Sequence, residues 1–272
     1  MANKVSESRS RSGVRLQSYK HPPVNEVVCG LKFQPPEKFT LPYFGLLWEK
    51  VRADYPTIQH APPIARGLND FLVDSATGTP LPRVWFVNGN DNQLIQFQVD
   101  RLYFNWRQRG DTYPRYPHVI KEWARVIDTT EQFFEENGFG KVRIMECELT
   151  YINHIKAGQG WQHAGDISGI VRDIVWKNSE RFLPSPTDVH WGATFPLPDD
   201  KGTLNASIQT ARLATDKQPV LILNLTARGI GRSTDRLGIR EWFDTAHEWI
   251  VCGFADLTTE KAQKEIWERE DA

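Results

Sequence analysis

Residues 84–107 read VWFVNGNDNQLIQFQVDRLYFNWR. The apolar run Val84–Val87 meets Asn88-Gly89-Asn90-Asp91-Asn92 before a second run opens at Leu94. Asn-Gly between two apolar runs predicts a β-hairpin, because both residues accept the left-handed backbone of a tight reversal. The second run reads as one long strand to about Arg107. Ile95, Phe97 and Val99 lead one face before Asp100-Arg101, and Leu102, Phe104 and Trp106 lead the other after it. A β-bulge at that dipeptide accounts for the change of parity.

Working outward, Val27, Cys29, Leu31 and Phe33 alternate with polar or small residues and predict an earlier strand, which Pro35-Pro36 ends. Thr40 is placed to cap a helix to about Tyr55, with Pro42 in its first turn. Residues 56–82 hold five prolines and predict a long connection. Downstream, Ile120, Trp123, Val126, Ile127, Phe133 and Phe134 recur at helical spacing over about Pro117–Asn137, and Asn137-Gly138 supplies the stop.

The second half repeats the plan. Val142–Ile155 reads as a long strand and Asp166–Lys177 as a helix; strands follow near 189–197, 204–213 and 220–227. A helix over about Ile239–Phe254 and a short one over Thr259–Glu270 close the chain. The fold class is α+β: two similar halves of strand, helix, antiparallel strands and helix, with helices packed on antiparallel sheet. The expected segments are a flexible basic arm over 1–20, a first half over 21–140 and a second over 141–272. The arm carries Lys4, Arg9, Arg11, Arg15 and Lys20 against Glu7.

A net charge of −1 argues against whole-protein attraction to nucleic acid or anionic membrane. Cys29, Cys147 and Cys252 are widely spaced with no CxxC pair, so buried free thiols in a reducing compartment are expected. No apolar leader and no run of 18 apolar residues occurs, so a cytoplasmic protein without membrane association is expected. A two-fold homodimer is the base expectation for self-association.

Neither GxxxxGK[ST] nor GxGxxG occurs; Arg228, Gly229, Gly231 and Arg232 form a weak candidate phosphate nest after a strand. Glu146, Glu148 and His154 share the polar parity of one strand and are weak candidates for a divalent metal or paired acid–base roles, the alternative being a solvent-facing edge. His247 lies on the apolar side of the last long helix and reads as a packed histidine rather than a base. No GxSxG and no electropositive cysteine is found, so no catalytic residue and no cofactor is assigned. The richest stretch is Tyr103–Tyr116, where Trp106, Arg107, Arg109, Tyr113, Arg115 and Tyr116 interleave arginines with aromatics. That mixture suits a protein interface or base stacking with phosphate pairing. The plainer alternative puts Phe104 and Trp106 in the core and the arginines in water.

The ordered pieces Pro22–Val28, Asp100-Arg101, Asn105-Trp106-Arg107, Tyr113–Tyr116, Tyr151-Ile152-Asn153 and Trp242–Glu248 resemble a sporadically distributed bacterial family of uncharacterised proteins of about this length. Thr150 departs from the Arg that the family usually carries before Tyr-Ile-Asn. The resemblance implies no activity, cofactor or catalytic residue. It implies a context of mobile islands, including phage-defence and CRISPR-associated operons. The expected function is thus a non-enzymatic accessory or adaptor protein binding a protein partner. A nucleic-acid or nucleotide sensor and a metal-dependent hydrolase are the alternatives.

Overall fold

The computed structural model describes residues 16–65, 67, 71–74, 76–110, 112–176 and 181–270. The chain divides into two compact units, each assembled from separated segments. The first is Glu26–Thr150 with Arg228–Ile239; the second is Met1–Asn25, Tyr151–Ala227 and Arg240–Ala272.

The described elements begin with β1 (Ser18–Tyr19), β2 (Val24–Phe33), α1 (Pro42–Val51), β3 (Thr57–Ala61), β4 (Arg83–Val87), β5 (Gln93–Gln98) and β6 (Arg101–Arg107). They continue with α2 (Tyr116–Glu136), β7 (Ile144–Lys156), β8 (His190–Pro196), β9 (Thr203–Arg212), β10 (Pro219–Gly229), α3 (Arg236–Leu257) and β11 (Arg269–Glu270). The fold is α+β with a large antiparallel sheet. In the first unit the strands lie in the order β3-β4-β5-β6-β2-β7, and in the second β7-β10-β9-β8. The halves echo each other: β4-β5-β6-β2 has the same neighbour order as β8-β9-β10-β7.

The residues predicted to form one long bulged strand form two. β5 and β6 pair with Gln98 opposite Arg101, so Val99-Asp100 is a two-residue turn. A chain that reverses over two residues changes which parity faces the core, and this produces the pattern first ascribed to a bulge. Gln98, Asp100 and Arg101 are all buried. Arg101 donates through Nε and Nη2 to both oxygens of Asp100, at 3.1 and 3.0 Å. Gln98 Nε2 donates to Asp100 (3.0 Å) and to the Ile64 carbonyl (2.9 Å), closing the turn.

In the first unit α1 and α2 cover one face of the sheet. Cys29, Leu31, Phe33, Phe86, Phe97 and Phe104 are at most 2% exposed. Phe33 meets Phe134 edge-on at 5.7 Å between ring centroids, and Phe44 meets Phe97 at 5.6 Å. Each such side chain stabilises the fold by about 1.5–3 kcal/mol through water exclusion. Thr40 does not cap α1; its N-terminal Leu41 N–H donates instead to Asp74 Oδ2 at 2.8 Å.

Four further expectations change. Within residues 56–82, Thr57–Ala61 forms an edge strand paired with β4. The described residues of the predicted helix, 166–176, hold no α-helix: a 3-10 turn spans Ala164–Gly169, and Val171 then bridges Thr258, while residue 177 lies outside the described residues. Ile167, Ile170, Val171 and Ile174 are nevertheless all buried, so the periodicity reported burial correctly. A Cβ on Gly169 would stand 2.6 Å from the Gly160 carbonyl, and that close approach holds the tight turn. The closing segment turns as a π-helix over Ala262–Ile266 and ends in β11. β11 pairs with β1, so Ser18 and Tyr19 of the expected arm are ordered, and Tyr19 is buried. Residues 1–15 of that arm lie outside the described residues. No described helix is long and apolar enough to cross a membrane.

Candidate functional site

Alternation on β2, β4, β5 and β6 sends one set of side chains under the helices and the other to the opposite face of the first unit's sheet. Cross-strand register puts Trp85 opposite Gln96, Gln96 opposite Tyr103 and Tyr103 opposite Gly30. Arg83, Asn105, Arg107 and Glu26 therefore share this face, and all but Asn105 are half-exposed.

These side chains form a hydrogen-bonded row across four strands. Arg83 Nη1 donates to Gln96 Oε1 (3.2 Å), Gln96 Nε2 to Asn105 Oδ1 (2.8 Å), and Asn105 Nδ2 to Glu26 Oε1 (2.6 Å). Burial pushes the Glu26 carboxyl above the usual range, while Asn105 and the nearby Arg107 and Arg109 pull it back. Arg83 also lies over the Trp85 ring at 5.5 Å. Arg83 Nε, Trp85 Nε1 and Arg107 Nε are buried with no hydrogen-bond partner among the described residues. Buried N–H groups are seldom left unpaired.

Tyr103 lies flat on Gly30, where an added Cβ would stand 2.4 Å from the ring. Burial, reinforced by Glu148, raises the Tyr103 phenol. Glu148 accepts from Arg228 Nε at 2.7 Å, which raises the Arg228 guanidinium. Gly30→Ala should therefore displace the ring and cost about 1–3 kcal/mol in urea unfolding. A cycle with Tyr103→Ala should return a coupling of roughly 1 kcal/mol; additive effects would mean that the ring does not rest on the glycine.

The residues singled out from sequence divide. Arg107 and Arg109 reach this face and both pair with Asp91, Arg109 Nε at 2.8 Å. Trp106 points the other way, 2% exposed in the core against Tyr113 at 5.2 Å. Tyr116 is buried in the first turn of α2. Arg115, just before it, is exposed and takes a left-handed φ of 70°. Trp106 and Tyr116 are therefore core residues rather than contacts for a partner.

The phosphate nest loses Arg228 to Glu148; Gly229 ends β10, and Gly231 and Arg232 follow in the loop before α3. Glu146 and Glu148 do share a face of β7, but Glu148 is neutralised by Arg228, and His154 belongs to the second unit. Burial lowers the His154 imidazole. Among the described residues no three His, Cys, Asp or Glu side chains converge as metal donors. Cys29 and Cys147 are buried free thiols and Cys252 is half-buried. Sequence reasoning passed over Arg83, Trp85 and Gln96 as site residues, and named Asn105 and Glu26 only within the stretches that carry the family resemblance. Arg83 and Trp85 alternate with Val84 and Phe86, and that parity was the available signal.

No family model and no curated protein matches the chain. Among solved structures, DynU16, a protein of the dynemicin biosynthetic locus, aligns over 85% of this chain and 98% of its own, at 12% identity and a TM-score of 0.24. At that level nothing is transferred from it.

Proposed function

We propose that this protein is a non-enzymatic accessory protein that binds a protein partner through the polar sheet face of its first unit. The observation that carries this reading is the hydrogen-bonded row Arg83-Gln96-Asn105-Glu26 across four strands, with half-buried Trp85 under Arg83. An extended partner segment brings backbone carbonyls and amides that would add hydrogen bonds to the half-exposed side chains of this row. Tyr, Trp and Arg are also the residues enriched at the energetic centres of protein interfaces.

The charge pattern favours protein over nucleic acid. Asp91 compensates Arg107 and Arg109, Asp100 compensates Arg101, and Glu148 compensates Arg228. Those carboxylates would repel phosphates, while a partner's mixed polar groups tolerate them. The sequence resemblance adds the context of an operon, and with it a partner encoded nearby.

The test is affinity capture of the tagged protein from cells expressing its neighbouring genes, with and without nuclease. A stoichiometric protein retained through nuclease is expected. Recovery of nucleic acid, with every partner released by nuclease, would replace this reading with the sensor. Arg83→Ala with Trp85→Ala should weaken capture by at least tenfold, since central aromatic and Arg contacts contribute about 2 kcal/mol or more.

A further inference from the structure

The second unit carries a groove of about 620 Å³ along α3, β8 and β9. Phe195, Leu204, Trp249 and Cys252 wall it, and Asp173, Glu248 and Asp256 add carboxylates to the lining. No Lys or Arg is among its described lining residues. The field there is negative: after burial, Glu248 and Asp256 are what push the Cys252 thiol up. Among the described strands β8 is the end strand of that unit's sheet, and its Phe195 lines the groove.

The same unit holds a segment of matching chemistry. Arg181-Phe182-Leu183-Pro184 puts a cation beside two apolar side chains. Phe182 is 100% exposed and Leu183 62%. An uncovered Phe beside an uncovered Leu is uncommon on a protein that stays alone, because burying each returns about 1.5–3 kcal/mol.

We propose that the protein self-associates by seating Arg181-Phe182-Leu183 of one copy in the acid-lined groove of another. Phe182 and Leu183 fill the apolar walls, and Arg181 meets Asp173 and Asp256. A second copy is the occupant because loop and groove complement each other in both charge and apolar character. One loop in one groove is small beside the roughly 1,200–2,000 Å² of stable interfaces. Two reciprocal contacts about a two-fold axis double the area and close the assembly. The dimer is accordingly weak and dependent on concentration, and its charged part weakens with salt.

Sedimentation velocity and light scattering over a wide concentration range test this on the full chain. The mass of the wild type should rise from 31.3 kDa toward twice that value. Phe182→Ser with Leu183→Ser, both at exposed positions, should keep the thermal midpoint and stay monomeric. Asp256→Lys, also at an exposed position, should weaken association at least tenfold. Mixing the loop variant with the groove variant leaves one intact contact per pair and should restore part of the association. A wild type that stays at 31.3 kDa throughout, or a dimer undiminished by the loop variant, overturns the proposal. Neither result bears on partner binding at the polar face of the first unit.

Discussion

Arg101→Leu should be among the most damaging single changes in this protein, costing about 3–5 kcal/mol and roughly 6–20 °C in thermal midpoint. Asp100 is 2% exposed and Arg101 7%, and they form a two-pronged pair at the turn between β5 and β6. Taking away the guanidinium leaves a carboxylate in a site with little water, with Gln98 as its remaining side-chain donor among the described residues. The loss therefore comes mainly from the stranded charge and less from the missing attraction. Combining Arg101→Leu with Asp100→Asn removes that charge and should recover most of the stability. Urea unfolding of the single and double variants checks this. A single variant within about 1 kcal/mol of wild type would mean that water reaches Asp100.

Acid should weaken the fold through His247. Packing inside α3 holds its imidazole down to about 3, against 6.5 for the unreacted side chain, and it shares a 3.1 Å hydrogen bond with the Tyr151 hydroxyl. Between those values the unfolded chain takes up a proton that the folded chain refuses. Stability therefore falls as pH drops through 6.5 and levels off only near 3. At pH 4.5 the loss is on the order of 2–3 kcal/mol. The residue keeps partial contact with solvent, so this is an upper bound. His154, lowered by burial, acts in the same direction. Glu26, whose carboxyl is raised, opposes both by gaining stability on acidification. His247→Phe should cost about 1–3 kcal/mol at neutral pH, because its hydrogen bond with the Tyr151 hydroxyl is lost. It should also flatten the fall between pH 6.5 and 4.5, read as thermal midpoint against pH. An equally steep fall in the variant would assign the acid sensitivity elsewhere.

Most strands were legible because one face of each is buried and period-2 alternation records it. β2, β4, β9 and β10 follow that rule, whereas β8 has no fully buried residue and alternates only between exposed and half-buried. β3 was invisible because all but one of its five residues are exposed, so no apolar alternation exists to be read. The β5–β6 reversal was hidden by its turn, where Val99-Asp100 contains none of the glycine or asparagine that usually marks one. Helical spacing of Ile167, Ile170, Val171 and Ile174 was real, yet a short 3-10 turn followed by a bridge buries the same residues. The pairing of β1 with β11 joins Ser18 to Glu270 through a 2.6 Å hydrogen bond, and no local pattern announces so distant a contact.

The candidate face was legible only in part. Arg107 and Arg109 drew attention through their aromatic neighbours, but the neighbours themselves turned inward. Arg83, Gln96, Asn105 and Glu26 become one row only once four strands are in register. Register is a tertiary property: a slip of one residue would send the whole row to the helix side.

The most direct measurement is a side-by-side capture. Wild type and the Arg83→Ala, Trp85→Ala variant are tagged, shown by circular dichroism to be folded, and recovered from cells expressing the neighbouring genes under nuclease. The polar face predicts a stoichiometric protein partner with wild type and at least tenfold less of it with the variant. Equal recovery by both proteins would contradict the assignment of that face, and recovery of no protein by either would contradict the partner-binding role itself.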